Sequence, residues 1–154
     1  MAKADRILFD FTIAIPPARR AWAQAVGVAL TGDKLPMSLA VAIVLAARLG
    51  IDAHPHVLAA EIGINPAALV RVLDQGEAMG LLERRDVPGN RRTKTVELLP
   101  AGKVLAEKME ATLAALRARM LHDTPLEDVQ AATRVLRSLE ARSLAYVAAH
   151  GHAA

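Results

Sequence analysis

Apolar residues recur at helical spacing through most of this chain, and one short region alternates instead. Ile7 to Leu30 is helical in composition but carries Pro16-Pro17, which predicts a short N-terminal arm or helix and then a helix over about 17–30. Gly32-Asp33 ends that segment, a second helix is predicted over about 37–49, and Gly50 stops it. His54-Pro55-His56 reads as a loop in which Pro55 opens a short helix to Ile62, with Gly63 as the turn. Asn65 is placed to N-cap a fourth helix, Pro66 to about Met79, with Pro at its first position and Gly80 beyond its end. Leu81–Arg85 and Thr93–Leu98 are strand-like, and Val96 and Leu98 alternate with polar neighbours. Between them Val87-Pro88-Gly89-Asn90 has the chemistry of a type II turn, predicting a hairpin with a longer, flexible tip. Pro100 opens a long helix to about Leu121, with Leu105, Met109, Leu113, Leu116 and Met120 in one stripe. Thr124-Pro125-Leu126-Glu127 reads as a capping box for a last helix to about Ala149, with Val129, Ala132, Leu136, Leu139 and Val147 along one face.

The order helix, Gly turn, helix, hairpin is that of a helix-turn-helix with a wing, and charge sharpens the reading. From Arg84 to Lys94 five cations stand against Asp86 alone, +5 − 1 = +4, whereas the whole chain is only +3. A nearly neutral protein with one basic loop beside a helix pair is suited to place that loop on a polyanion. The length, 154 residues, suits one domain with a real core. With 53% hydrophobic but only 3% aromatic residues, that core is built mostly of Ala, Leu, Val and Ile, which favours helices. No Cys is present, which excludes disulfides, thiolate nucleophiles and cysteine metal sites.

Ala59, Gly63, Ile64, Leu69 and Val72 fill the positions that lock two such helices together. The stretch Leu58-Ala59-Ala60-Glu61-Ile62-Gly63-Ile64-Asn65-Pro66 through Val70-Arg71-Val72-Leu73-Asp74 resembles the core of the MarR family of winged helix-turn-helix transcriptional regulators. So do Gly80-Leu81-Leu82-Glu83-Arg84, Asn90-Arg91-Arg92 and Val96-Glu97-Leu98-Leu99-Pro100-Ala101-Gly102, so that the resemblance covers roughly residues 35–105. It implies a mainly α fold with a two-stranded β wing and long terminal dimerisation helices. It also implies a homodimer presenting two reading heads to a pseudo-palindromic double-stranded DNA site, and in many members release by a small ligand, often an aromatic acid. The chain departs from the family pattern at Asn90, where an Asp is usual, at Leu99, where a capping Thr is usual, and at Gly76 inside the reading helix.

The expected organisation is a single domain over 1–154, with a winged helix-turn-helix part at 35–99 and a helical dimerisation part at 1–31 and 100–150. In the reading helix Pro66, Ala67, Ala68 and Val70 offer methyl contacts to thymine, while Asn65 and Arg71 offer hydrogen bonds. Arg71 is the candidate for guanine; its alternatives are a phosphate or pairing with Asp74 or Asp86. Arg84, Arg85, Asn90, Arg91, Arg92 and Lys94 are the wing candidates, with Arg91 or Arg92 suited to a narrow minor groove. Trp22 beside Arg19 and Arg20 could line a pocket for an anionic aromatic ligand, or be plain core with surface arginines; the resemblance places the pocket near this helix and Met37.

Other chemistry is weakly represented. His54 and His56, with His122, His150 or His152, lack the partners of a zinc site, so no metal or cofactor is expected beyond a small-molecule effector. Ser38, Ser138 and Ser143 sit in no nucleophile elbow, and no phosphate loop or carboxylate pair appears, so no enzyme is expected. Lys3 and Arg6 before Ile7–Ile15 resemble a signal segment, but Asp10 interrupts the run, and Leu39–Ala47 is too short to span a membrane. A cytoplasmic repressor is therefore expected. The rivals are a ligand-independent or metal-responsive regulator of the same fold, a winged-helix protein-interaction module, and a ligand-sequestering protein without specific DNA binding.

Overall fold

The computed structural model describes residues 3–30, 32 and 35–151. Asp33 and His152 lie outside these residues, as do the side chains of Arg91 and Arg92, whose backbone is described. The elements are α1 (Lys3–Ala29), α2 (Met37–Leu49), a single 3-10 turn (Gly50–Asp52), α3 (Pro55–Ile62), α4 (Pro66–Ala78), β1 (Leu82–Val87), β2 (Asn90–Leu98), α5 (Pro100–Met120) and α6 (Leu126–His150). This is the mainly α, winged helix-turn-helix class expected, with one antiparallel two-stranded sheet. No single helix among the described residues is long and apolar enough to cross a membrane. The chain divides into two compact units, residues 1–117 and 118–154.

In the first unit the core is aliphatic, as the composition requires. Leu39 and Ile43 of α2, Leu58 of α3, Leu69 and Leu73 of α4, Leu82 and Val96 of the hairpin, and Met109 of α5 are its largest fully buried side chains. Gly63 ends α3 in the left-handed region at φ 77°, and its N–H reaches back to the carbonyls of Ala59 and Ala60. This turn sets α3 and α4 at 109° to each other. Asn65 then caps α4, its side-chain oxygen accepting from the Ala68 N–H at 2.7 Å.

Three expectations are corrected. Pro16-Pro17 does not break the first helix, because α1 runs unbroken from Lys3 to Ala29. Two prolines remove two N–H donors, but the carbonyls they orphan belong to Thr12 and Ile13, both exposed where water can serve them. The hairpin has no long tip: the strands extend to Val87 and from Asn90, and Pro88-Gly89 alone make the turn. The extra length sits in β2 instead. Asp86 pairs with Lys94 and Val87 with Asn90, so Arg91, Arg92 and Thr93 bulge from the ladder. Finally, the capping box at Thr124 does not form. Pro125 occupies the N-cap in an extended conformation (ψ 135°) with no side-chain cap, and α6 begins one residue later at Leu126.

The hairpin is seated by close backbone approach. A Cβ on Gly102 would lie 1.9 Å from the Leu81 carbonyl oxygen, and that oxygen also accepts from the Leu99 N–H at 3.0 Å. Gly76 serves a similar end, since a Cβ there would meet Leu82 at 2.8 Å and Leu39 at 3.1 Å. The glycine inside the reading helix is thus a packing requirement. We expect Gly102→Ala to destabilise the protein by about 3 kcal/mol, because a fixed backbone stands in the way. Gly76→Ala should cost less, since side chains can shift and alanine restores about 1 kcal/mol of helix propensity. Urea unfolding of both variants checks this; equal or negligible losses would show that the seam yields.

Candidate nucleic-acid interface

The first turns of α4 present few polar groups to solvent. Pro66, Ala67, Val70 and Arg71 are exposed, Val70 by 49%, while Ala68 is half-buried and its N–H is held by the Asn65 cap. Asn65 therefore has its oxygen committed and keeps only its amide N–H groups for other partners. Arg71 pairs with neither carboxylate that sequence made a rival for it, because Asp74 bonds Arg84 and Asp86 bonds Lys94. Among the described residues Arg71 makes no ion pair, so its guanidinium is the one cation free on this face.

Arg84 sits at the junction of helix and wing. Its Nη2 donates to Glu77 at 2.6 Å and to Asp74 at 2.5 Å, its Nε donates to Glu77 at 3.0 Å, and its own backbone N–H donates to Glu77 at 2.8 Å. A planar fork on β1 thus grips two carboxylates spaced i, i+3 on α4. The hydrogen bond from Arg84 holds the Glu77 carboxyl below its ordinary value, and the same bond raises the guanidinium's. Sequence reasoning missed this clamp; the signal was Asp74 and Glu77 one turn apart, facing an arginine just beyond the Gly80 turn.

The other strand cations are paired as well. Glu83 and Glu97 oppose each other across the ladder, an unfavourable pairing, and Arg85 bridges them, with Nε donating to Glu83 at 2.6 Å and Nη1 reaching Glu97 at 3.0 Å. Lys94 bonds its cross-strand partner Asp86. Three of the five wing cations are thereby tied to carboxylates, Arg84 to those of α4 and Arg85 and Lys94 to those of the hairpin, and the other two in the sequence are Arg91 and Arg92. Their backbone lies in the three-residue bulge, which Asn90 staples by donating from Nδ2 to the Thr93 hydroxyl at 2.8 Å. The Asn that replaces the usual acid therefore has a neutral anchor.

The bulged strand is also moored behind. Val96 N–H donates to the Ala53 carbonyl at 2.8 Å, the Thr95 hydroxyl to the Ile51 carbonyl at 3.2 Å, and His54 Nδ1 to the Lys94 carbonyl at 2.9 Å. His54 and His56 stack with ring centroids 5.7 Å apart, and no group of metal-ligating side chains occurs among the described residues. The effector candidates Arg19, Arg20, Trp22 and Met37 are all exposed, on α1 and at the start of α2. Arg19 reaches the helix-turn-helix, its Nη1 lying 3.8 Å from where a Cβ on Gly63 would be.

The clamp makes stability depend on acid. A carboxyl whose folded pKa lies below its unfolded value stabilises the fold above that unfolded value, and the contribution is lost as pH falls through the folded one. Glu77 and the similarly lowered Glu110, held by Arg48 and then Arg117, both behave this way. Glu77→Gln should therefore lower stability at neutral pH and flatten its decline below about pH 4.5. Thermal unfolding between pH 3 and 7 reads it, and an acid limb as steep as the parent's would refute the clamp.

No protein-family model matches the chain. Its fold is that of several solved regulators. The transcriptional regulator PA3341 is 26% identical over 86% of this chain and 96% of its own, with a TM-score of 0.79. A MarR-family transcriptional regulator from Rhodococcus sp. RHA1 is 25% identical over 90% of this chain and 95% of its own, with a TM-score of 0.69. NadR, solved in complex with 4-hydroxyphenylacetate, is 20% identical over 84% of this chain and 91% of its own, with a TM-score of 0.75. Helix pair, clamped wing and flanking helices together give this chain the winged helix-turn-helix fold of the MarR-family transcriptional regulators.

Proposed function

We propose that this protein is a homodimeric, sequence-specific DNA-binding transcriptional regulator, a cytoplasmic repressor released by a small effector. The observation that carries the reading is the pairing of an exposed α4 face with a hairpin whose bulge holds two consecutive arginines of the sequence, Arg91 and Arg92. Residues 35–99 would read DNA, and 1–31 with 100–150 would dimerise. Arg71 would take guanine with two hydrogen bonds, worth about 1–3 kcal/mol of discrimination, while Pro66, Ala67, Ala68 and Val70 meet thymine methyls. Asn65 would contribute through its amide N–H. Arg91 and Arg92 would meet phosphates or the minor groove, with Asn90 holding the bulge, while Arg84, Arg85 and Lys94 shape the wing more than they bind. Two such heads suit a pseudo-palindrome with half-sites about 10 bp apart.

Dimerisation is supported by apolar surface that the chain leaves open. Ile7, Leu8, Phe9 and Ile13 of α1 are exposed, and α6 has no buried residue, with Leu136, Leu144 and Val147 in the open. For the effector, the ligand in NadR is an aromatic acid. Arg19, Arg20, Trp22 and Met37 offer cations and an aromatic face to such an acid, and Arg19 lies against the α3–α4 turn. One observation favours a second reading, a protein-interaction module: most wing cations are already paired internally.

Binding to DNA upstream of the protein's own gene, against scrambled DNA over a salt series, decides between them. We expect tight, selective binding to the former, and weak, equal binding to both would favour the interaction module. Each neutralised phosphate adds about 0.9 to the salt slope, so removing Arg91 and Arg92 from both protomers should lower it by about 3 to 4. Arg85→Ala should leave the slope nearly unchanged. Light scattering should find a dimer for the parent and a monomer for Leu136→Glu/Val147→Glu; a monomeric parent would overturn the homodimer.

A further inference from the structure

Behind the wing lies a groove of about 1020 Å³ that neither the DNA reading nor the effector candidates use. Its walls are the end of α2, the 3-10 turn, the first turns of α5 and the rear of the hairpin, all within residues 1–117. Ala47, Ala106, Val96 and Leu98 give it an apolar lining. Its size suits a drug-sized molecule, and the polar groups at its edge decide which kind.

Those groups are acceptors in excess. Asp52 and Glu107 both line the groove, and neither has an ion-pair partner among the described residues. The Lys94 carbonyl can only accept, so His54 Nδ1 carries the hydrogen of that 2.9 Å bond, and in a neutral imidazole this makes Nε2 the acceptor. Glu110 receives Arg48 and Arg117 on Oε1, while its Oε2 is buried with no partner among the described residues. Arg48 is thus spent, and Lys103 is the one lining cation without a carboxylate.

We propose that this groove binds an apolar organic cation, an ammonium or amidinium carried on a hydrophobic body. The apolar lining takes the body, and Asp52, Glu107 and His54 Nε2 accept from the charged head. This is the opposite charge from the effector considered above, and the site is a different one.

An isosteric pair separates charge from shape: 4-phenylbutylammonium and 4-phenylbutyrate, titrated into the full-length protein by calorimetry without DNA. The ammonium should bind saturably and the carboxylate should bind at least several-fold more weakly. Ala47→Phe, at an exposed lining position, should abolish binding while circular dichroism remains unchanged. Asp52→Asn/Glu107→Gln should weaken the ammonium about three- to fivefold, as befits partly exposed charges. Equal binding of both probes, no binding of the ammonium at millimolar concentration, or binding that survives Ala47→Phe would overturn the proposal. With no DNA present, its failure leaves the regulator reading intact, and failure of that reading leaves this one.

Discussion

The Leu81 carbonyl resting on the Cα of Gly102 is the contact on which the rest of the first unit depends. It joins the chain just before the wing to the helix just after it. The hairpin is therefore closed at its base, with the same oxygen accepting from Leu99. Gly76 likewise lets α4 come down on the side chain of Leu82, here side chain against backbone where Gly102 meets backbone with backbone. The pose of the wing relative to α4 is thus set by backbone proximity at two glycines and by the Arg84 fork, before any surface residue matters. Interiors this close do not deform gradually, so the hairpin and reading helix form one rigid head.

Charge acts within that frame in two ways. Formally the wing region carries +4, but Arg84, Arg85 and Lys94 are each tied to carboxylates of α4 or the hairpin itself. Exposed pairs of this kind stabilise little, about 0 to 1 kcal/mol each, so their value lies in orientation. They hold long side chains in one geometry and prevent Glu83 and Glu97 from repelling across the ladder. The other two cations of the region, Arg91 and Arg92, lie on a bulge whose extra residues turn the strand out of its regular ladder. In the proposed DNA complex so compact a charge would contribute a few phosphate contacts per head and leave specificity to the fit of the α4 face.

The fold class and the order of elements were legible in the sequence, because capping and turn residues mark the boundaries locally. Asn65-Pro66 placed the start of α4, and Gly63 the turn, as found. What misled was chemistry whose outcome depends on surroundings. Pro16-Pro17 costs α1 two hydrogen bonds, which is tolerable on an exposed helix whose orphaned carbonyls water can reach. Thr124 lost its cap because Pro125 is extended, which moves the helix start by one residue. The bulge at Arg91–Thr93 is a register effect, set by pairing partners that no local pattern reveals. The same holds for the candidate site: its residue types were legible, but which cations were already spent required the cross-strand and helix-to-strand partners. Gly102 was visible only as part of a family motif, and the groove, assembled from segments some 60 residues apart, was not visible at all.

The terminal helices pose a separate physical problem. A 25-residue helix with no fully buried side chain gains little from packing within its own chain, and isolated helices in water are marginal even with good propensities. Its last turn holds a stacked Tyr146–His150 pair and a hydrogen bond from His150 Nδ1 to the Tyr146 carbonyl, which order the helix end but cover no apolar surface. Leu144 and Val147 remain open beside them. Burying such a side chain stabilises by about 1.5–3 kcal/mol, so a few of them against a partner are enough to tip a marginal helix towards the ordered state. The first unit has a complete core without α6, so the need for a partner is local to the terminal helices. A second copy supplies an identical face at equal concentration, and the symmetry of such a pairing would give two reading heads a fixed separation. On this account the spacing between half-sites would be a property of the apolar faces of α1 and α6, and not of the residues proposed to touch DNA.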